Sequence, residues 1–184
     1  MRHVWKGWPL LLAAVLGCGG PETTAERKGS GSLDVIEIDG LHSKAPEDWV
    51  REQPTQQQSM RFAQFRLPGA GGADASLVVF RGIGGTPKDN INRWKGQFSK
   101  IDGDPKIDSF PVGHLEAVVL DIQGTFLQSD MMNPQAEQLL LTDYRMVAVT
   151  LDGGTQPFQI KLTGPSKTIE RHKAAFIEWL KGFK

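Results

Sequence analysis

The chain holds one cysteine, one tyrosine and four histidines. A lone cysteine rules out an internal disulfide, so an apolar core must hold the fold unaided. Charge of one sign is also missing, since 21 Lys and Arg balance 21 Asp and Glu. A nucleic-acid partner is therefore not expected, because such partners call for a basic surface that displaces counterions from phosphates. Nor is there a polybasic patch for anionic lipid. The apolar run Trp8 to Leu16 falls short of the roughly 20 residues that span a bilayer. No internal repeat is evident. With 39% hydrophobic and 23% charged residues over 184 positions, the chain suits one ordinary globular domain.

The informative end is the N-terminus. Arg2 and Lys6 precede the Trp8 to Leu16 run, and Gly17 stands directly before Cys18. That is a secretory signal layout. Val15-Leu16-Gly17-Cys18 resembles the lipobox of bacterial lipoproteins. The resemblance implies a signal peptide over 1–17, cleavage before Cys18, and acyl chains on that cysteine. The alternative is an ordinary cleaved signal with a free thiol beside it. One acyl chain holds only marginally, so two or three are needed for stable attachment. Removing Arg2 and Lys6 with the leader takes the basic residues from 21 to 19 against 21 acidic ones, a net of about −2. A tether follows over 18–32, where GGPETTAERKGSGS carries no apolar side chain larger than alanine and is expected to be flexible. The expected location is the cell membrane or outer membrane, lipid-anchored, facing periplasm or exterior. The Gly19 that follows the cysteine leans toward the outer membrane.

One α+β domain is expected over 33–184. Strand signals fall at Leu33 to Ile38, Met60 to Leu67 and the wholly apolar Leu77 to Phe80, the last reading as a strand covered on both faces. Ala45 to Trp49 reads as a turn that delivers its tryptophan to the core. Thr86, Pro87 and Asp89 announce a helix by cap, first-turn proline and first-turn acid. Ile91, Trp94 and Phe98 lie at helical spacing after them. Strands are expected at His114 to Gln123 and at Leu139 to Leu141, the latter continuing through Tyr144 to Leu151 after a kink. A final strand, Phe158 to Thr163, alternates cleanly and predicts one wet face. Gly164 and Pro165 end it. Ser166 is positioned to cap a closing helix that runs to about Leu180, with Ile169, Phe176, Ile177 and Leu180 as its buried stripe.

This order gives an antiparallel sheet flanked by helices. The segments FQIKLTGP (158–165) and FIEWLKGF (176–183), with the start from Ala45-Pro46 to Trp49, resemble Mog1/PsbP-type domains. That resemblance implies an α-β-α sandwich around a central antiparallel sheet. Members of that family serve as binding or assembly proteins, in photosystem II or with a small GTPase, which favours a role without catalysis here.

Residues with chemical potential do not assemble into a known pattern. Gly82 to Thr86 lacks the Lys-Ser/Thr ending of a phosphate loop and reads as a strand-to-helix turn. His114 and Glu116 are expected on one face of a strand with Asp121 on the other; two ligands are too few for zinc. His42 and His172 have no ligand-spaced partner. Asp102 and Asp104 read as turn formers, and no serine sits in a nucleophile elbow. No metal and no cofactor is expected. The loop with Met131 and Met132 is the candidate partner contact, because thioether side chains adapt to varied surfaces; the plainer reading tucks one methionine into the core edge. The sequence thus points to a lipid-anchored envelope module that binds or assembles, with an envelope hydrolase built from distant residues, or a passive structural lipoprotein, as the alternatives.

Overall fold

A computed structural model describes residues 34–128 and 137–184. Cys18, the tether, Met131 and Met132 lie outside the described residues. Among the described residues ten strands form: β1 (Val35–Ile38), β2 (Leu41–Lys44), β3 (Val50–Glu52), β4 (Arg61–Leu67), β5 (Ala75–Arg81), β6 (Phe98–Ile101), β7 (Lys106–Val112), β8 (Leu115–Gln128), β9 (Leu139–Asp152) and β10 (Phe158–Pro165). The helices are α1 (Pro87–Lys95) and α2 (Ser166–Lys181). β1 and β2 form a separate hairpin through Asp39 and Gly40, both at positive φ, as a tight primed turn requires. The other eight strands make one antiparallel sheet in the order β3-β4-β5-β10-β9-β8-β6, with β7 pairing the first half of β8.

Strand alternation sends two sets of side chains to opposite faces. One face carries Phe65, Leu77, Val79, Val147, Val149, Ile160 and Leu162, all fully buried. It is covered by α2 through Ile169, Phe176, Trp179 and Leu180, with Phe183 beyond the helix. Trp49 joins that core, edge-on to Phe65 and Trp179 at 5.9 and 5.5 Å. The other face carries Leu120, Ile122, Met146 and Ala148 and is covered by Ile91 and Trp94 of α1. The fold is an α+β sandwich of helix, sheet and helix. The α1 cap is as expected: the Asp89 amide donates to the Thr86 hydroxyl at 3.2 Å, and the Thr86 amide to the Asp89 carboxylate at 3.0 Å, a closed capping box.

Several expectations are corrected. Phe98 is not on α1, which ends at Lys95 with Gly96 behind it; it opens β6 and reaches the same cluster from there. Ser166 does not cap α2. Pro165 holds that position, and the Ser166 hydroxyl donates to the Asp143 carbonyl instead. His114 belongs to the turn before β8, not to a strand. β10 has no wet face: Gln159 is buried and Lys161 and Thr163 are half-buried, because β10 lies mid-sheet between β5 and β9. The kink expected in β9 is a bulge, with the β8–β9 register slipping between Gly124 and Phe126 and Asp143 at φ +55°.

Candidate functional site

The polar side chains of β10 gather the chemistry. In register across the sheet, Val78 of β5, Lys161 of β10, Ala148 of β9 and Leu120 of β8 form one row on the α1 face. The next row is Arg61, Phe80, Gln159, Thr150 and Val118. A bulge between Arg61 and Ala63 turns Arg61 onto this face. α1 covers the β9 and β8 end of these rows. Toward β4 and β5 the same face carries half-buried Gln64 and Phe80 and exposed Arg66 and Ser76. Lys161 therefore stands at the step where the helix stops covering the sheet.

Around it lies a network of amides and cations. Gln159 donates to the Ile83 carbonyl at 3.0 Å and to the Asn90 side-chain oxygen at 2.9 Å. Arg93 donates to the same Asn90 oxygen and, at 3.0 Å, to the Gln159 oxygen. The Lys161 ammonium donates to the Gln97 side-chain oxygen at 2.7 Å. Arg61 donates to Gln64, which donates to Glu52 at 2.6 Å. Burial, then the positive charges of Arg61 and Arg93, push the Lys161 ammonium down to about 8 from its ordinary 10.5. Burial likewise lowers Arg61, against a smaller opposing pull from Glu52. Two hydroxyls on this face, those of Thr150 and Thr163, are buried without a hydrogen-bond partner.

On the α2 face a compensated cluster offers contrast. Asp121 accepts from Arg145 at 2.7 and 2.6 Å and from Lys173 at 2.6 Å, and Arg145 also pairs with Glu170. Burial pushes the Asp121 carboxyl up, but the bonds and charges of Arg145 and Lys173 outweigh it and hold the group low. Such a square of alternating charge is a structural clamp.

His114 and His172 have separate partners. His114 meets Asp39 at 2.9 Å, and Asp39 also accepts from the Thr155 amide and hydroxyl. Because the carboxylate sits between the other two groups, the hydroxyl has no imidazole to take its proton; the trio ties the β1–β2 turn to two neighbouring turns. His172 is buried against the Pro68 carbonyl at 2.9 Å. Glu116 is paired in register with Asp152 at the sheet end, while Asp121 lies on the opposite face, as predicted. Asp102 pairs with Lys100 at 2.8 Å. Among the described residues no group of three His, Cys, Asp or Glu is placed to hold a metal ion. Shallow depressions lie elsewhere, one of ≈ 420 Å³ between Lys44, Pro46, Ala175 and Trp179 and one of ≈ 340 Å³ beside His114.

The β8–β9 hairpin runs on past α1. There Leu127 pairs with Leu140 and Gln128 with Leu139. Leu139 and Leu140 are 60% and 61% exposed, the highest among the large apolar residues described. Because they are adjacent on a strand, they point to opposite faces, so both sides of the arm are apolar. Sequence reasoning passed over Lys161 and these leucines. A lysine among the apolar residues Ile160 and Leu162, and three leucines in a row before a polar kink, are the signals that could have found them.

Neither a family model nor a curated protein matches the chain. Among solved structures it is similar to the solution structure of cyanobacterial PsbP, CyanoP, from Synechocystis sp. PCC 6803. That match has a TM-score of 0.52 at 13% identity and covers 90% of this chain and 99% of that one. A protein of unknown function from Pseudomonas aeruginosa is also similar, with a TM-score of 0.45 at 17% identity, covering 80% of this chain and 92% of that one. The first likeness is one of fold alone: the chain has a PsbP-like α+β fold.

Proposed function

We propose that this chain is a lipid-anchored module of the bacterial cell envelope that binds or assembles with a protein partner and performs no catalysis. The observation that carries the reading is Val15-Leu16-Gly17-Cys18, a lipobox around the chain's only cysteine, behind a charged and apolar leader. Two or three acyl chains on Cys18 would hold the protein at the membrane, and no helix among the described residues is long and apolar enough to cross one. The fold supports a binding role by analogy alone. The contact surface is the far end of the β8–β9 arm, where Leu139 and Leu140 are exposed, a few residues after Met131 and Met132 in the sequence. An arm apolar on both faces suits an apolar cleft on another protein.

Cell fractionation with acyl labelling tests the anchor. The wild-type chain should sediment with membranes and take up labelled fatty acid, and Cys18→Ala should do neither. Membrane retention of Cys18→Ala would refute it. For the arm, replacing Leu139 and Leu140 by Ser should abolish site-specific crosslinks formed from position 132 in cells. Unchanged crosslinks would dismiss the arm as the contact.

A further inference from the structure

Lys161 lies mid-sheet, on β10 between β5 and β9. Its cross-strand neighbours are Val78 and Ala148, so neither adjacent strand sets a carboxylate directly opposite it. The ion pairs among the described residues join Arg66 to Glu52 and Asp74, Lys100 to Asp102, Arg145 to Asp121 and Glu170, Lys173 to Asp121, and Lys181 to Glu178, besides two histidine contacts. None includes Arg61, Arg93 or Lys161. Each of the three instead donates to a neutral amide oxygen, on Gln64, Asn90 and Gln159, or Gln97. The nearest acids are engaged: Glu52 with Gln64 and Arg66, and Asp89 with Thr86.

Three like charges at a half-covered step in the sheet, offset only by the longer-range attraction of Glu52 for Arg61 and of Asp89 for Arg93, weaken the fold, because burial disfavours a charge with no close opposite. Such an arrangement persists where the missing charge arrives with a ligand. Gln97 and Gln159 add the right chemistry, since a side-chain amide accepts from a cation and donates to an anion at once. Thr150 sits across from Gln159 in register, and Thr163 lies two residues past Lys161 on the same face; both hydroxyls lack partners. Two guanidinium forks match the geometry of a tetrahedral oxyanion, and the ammonium supplies a point charge.

From this convergence we infer that Arg61, Arg93 and Lys161 form a binding site for a phosphate group, at the edge of α1 on the sheet face opposite α2. The phosphate belongs to free phosphate or to a small phosphoester, a lipid headgroup included. The inference is independent of the Cys18 anchor, and failure of either leaves the other standing.

Titration of the purified full-length chain tests it, with inorganic phosphate and the soluble headgroup analogue glycerophosphoglycerol as probes and chloride at matched ionic strength as the control. Thermal unfolding and two-dimensional NMR of the lysine ammonium and arginine Nε–H groups are the readouts. Inorganic phosphate should raise Tm saturably above the chloride control and move the Lys161, Arg93 and Arg61 signals together. A stronger response to glycerophosphoglycerol would assign the group to a lipid headgroup, a weaker one to a free phosphate. Lys161→Met and Arg93→Gln should each weaken phosphate binding at least tenfold. Lys161→Met should itself unfold at higher temperature than the wild type, as expected of a residue kept for binding at the expense of stability. If Lys161→Met does not fold, Arg93→Gln and the wild-type NMR titration decide the matter. No saturable response beyond chloride, shifts confined to other cations such as Arg66, or unchanged affinity in Arg93→Gln would overturn the inference.

Discussion

Raising the pH should strengthen this protein through Lys161 alone before other groups intervene. In the folded chain its ammonium is held at about 8, while the unfolded chain restores the ordinary 10.5. Below pH 8 both states are protonated and the fold carries the full burden of a buried, repelled charge. Between 8 and 10.5 the folded state has lost its proton and the unfolded state has not, so stability rises with pH. Above 10.5 both are neutral and the burden is gone. At 1.36 kcal/mol per pH unit of difference, the gain across this window is about 3 kcal/mol. The groups facing Lys161 are Arg61 from β4, Arg93 from α1 and the uncharged Gln97 after α1. Lys100, raised by its exposed pairing with Asp102, acts in the opposite direction and only near the top of the range. Urea unfolding at half-unit steps from pH 7 to 10 should therefore show a rising free energy. In Lys161→Met the rise should be absent, and at pH 7 the variant should exceed the wild type by about the same 3 kcal/mol. A flat wild-type profile, or a variant weaker than wild type at pH 7, would refute the account of Lys161 as an uncompensated charge.

Two further predictions concern the frame around the site. Asp121→Asn strips the Arg145 and Lys173 cations of their shared partner, at side chains only 16% and 35% exposed; urea unfolding at pH 7 should show a loss of about 3 kcal/mol. Because the Asp121 carboxyl is held low, its contribution is complete above its unfolded value near 3.8 and disappears as pH falls through the lower folded value, so the variant's deficit should shrink in acid. Gly124→Ala places a methyl group 2.0 Å from the Lys100 carbonyl oxygen, where β6 crosses β8 at the bulge. It should cost about 3 kcal/mol, and hydrogen exchange should show the Asp102 and Leu127 amides, which bond to Gln123 and Gln97, losing protection first.

How legible the molecule was depended on whether the decisive interaction was local. The α1 start could be read because Thr86, Pro87 and Asp89 act on one another within a single turn. The α2 stripe could be read because three of its four residues are buried and Ile177 is packed against them. β2 was legible in principle, since Asp39-Gly40 is a strong hairpin turn signal, and it was passed over. β6 and β7 were not legible: both are exposed along most of their length and exist because one long strand, β8, offers its edge to each in turn. Phe98 shows the same limit, since its spacing from Trp94 fits a helix while the chain turns back at Gly96.

The candidate site divides along the same line. Residue order alone established the capping box, the apolar runs and the α+β alternation, because each is a pattern of neighbours within a few residues. Tertiary structure alone decided that the alternating strand 158–165 lies mid-sheet with its polar side half under α1. It alone brought Arg61, Arg93 and Lys161, up to 100 positions apart in the chain, around one step in the sheet. Alternation tells which residues share a face but not what covers that face. Covering is settled by strand order and helix placement, and both depend on contacts between segments distant in sequence.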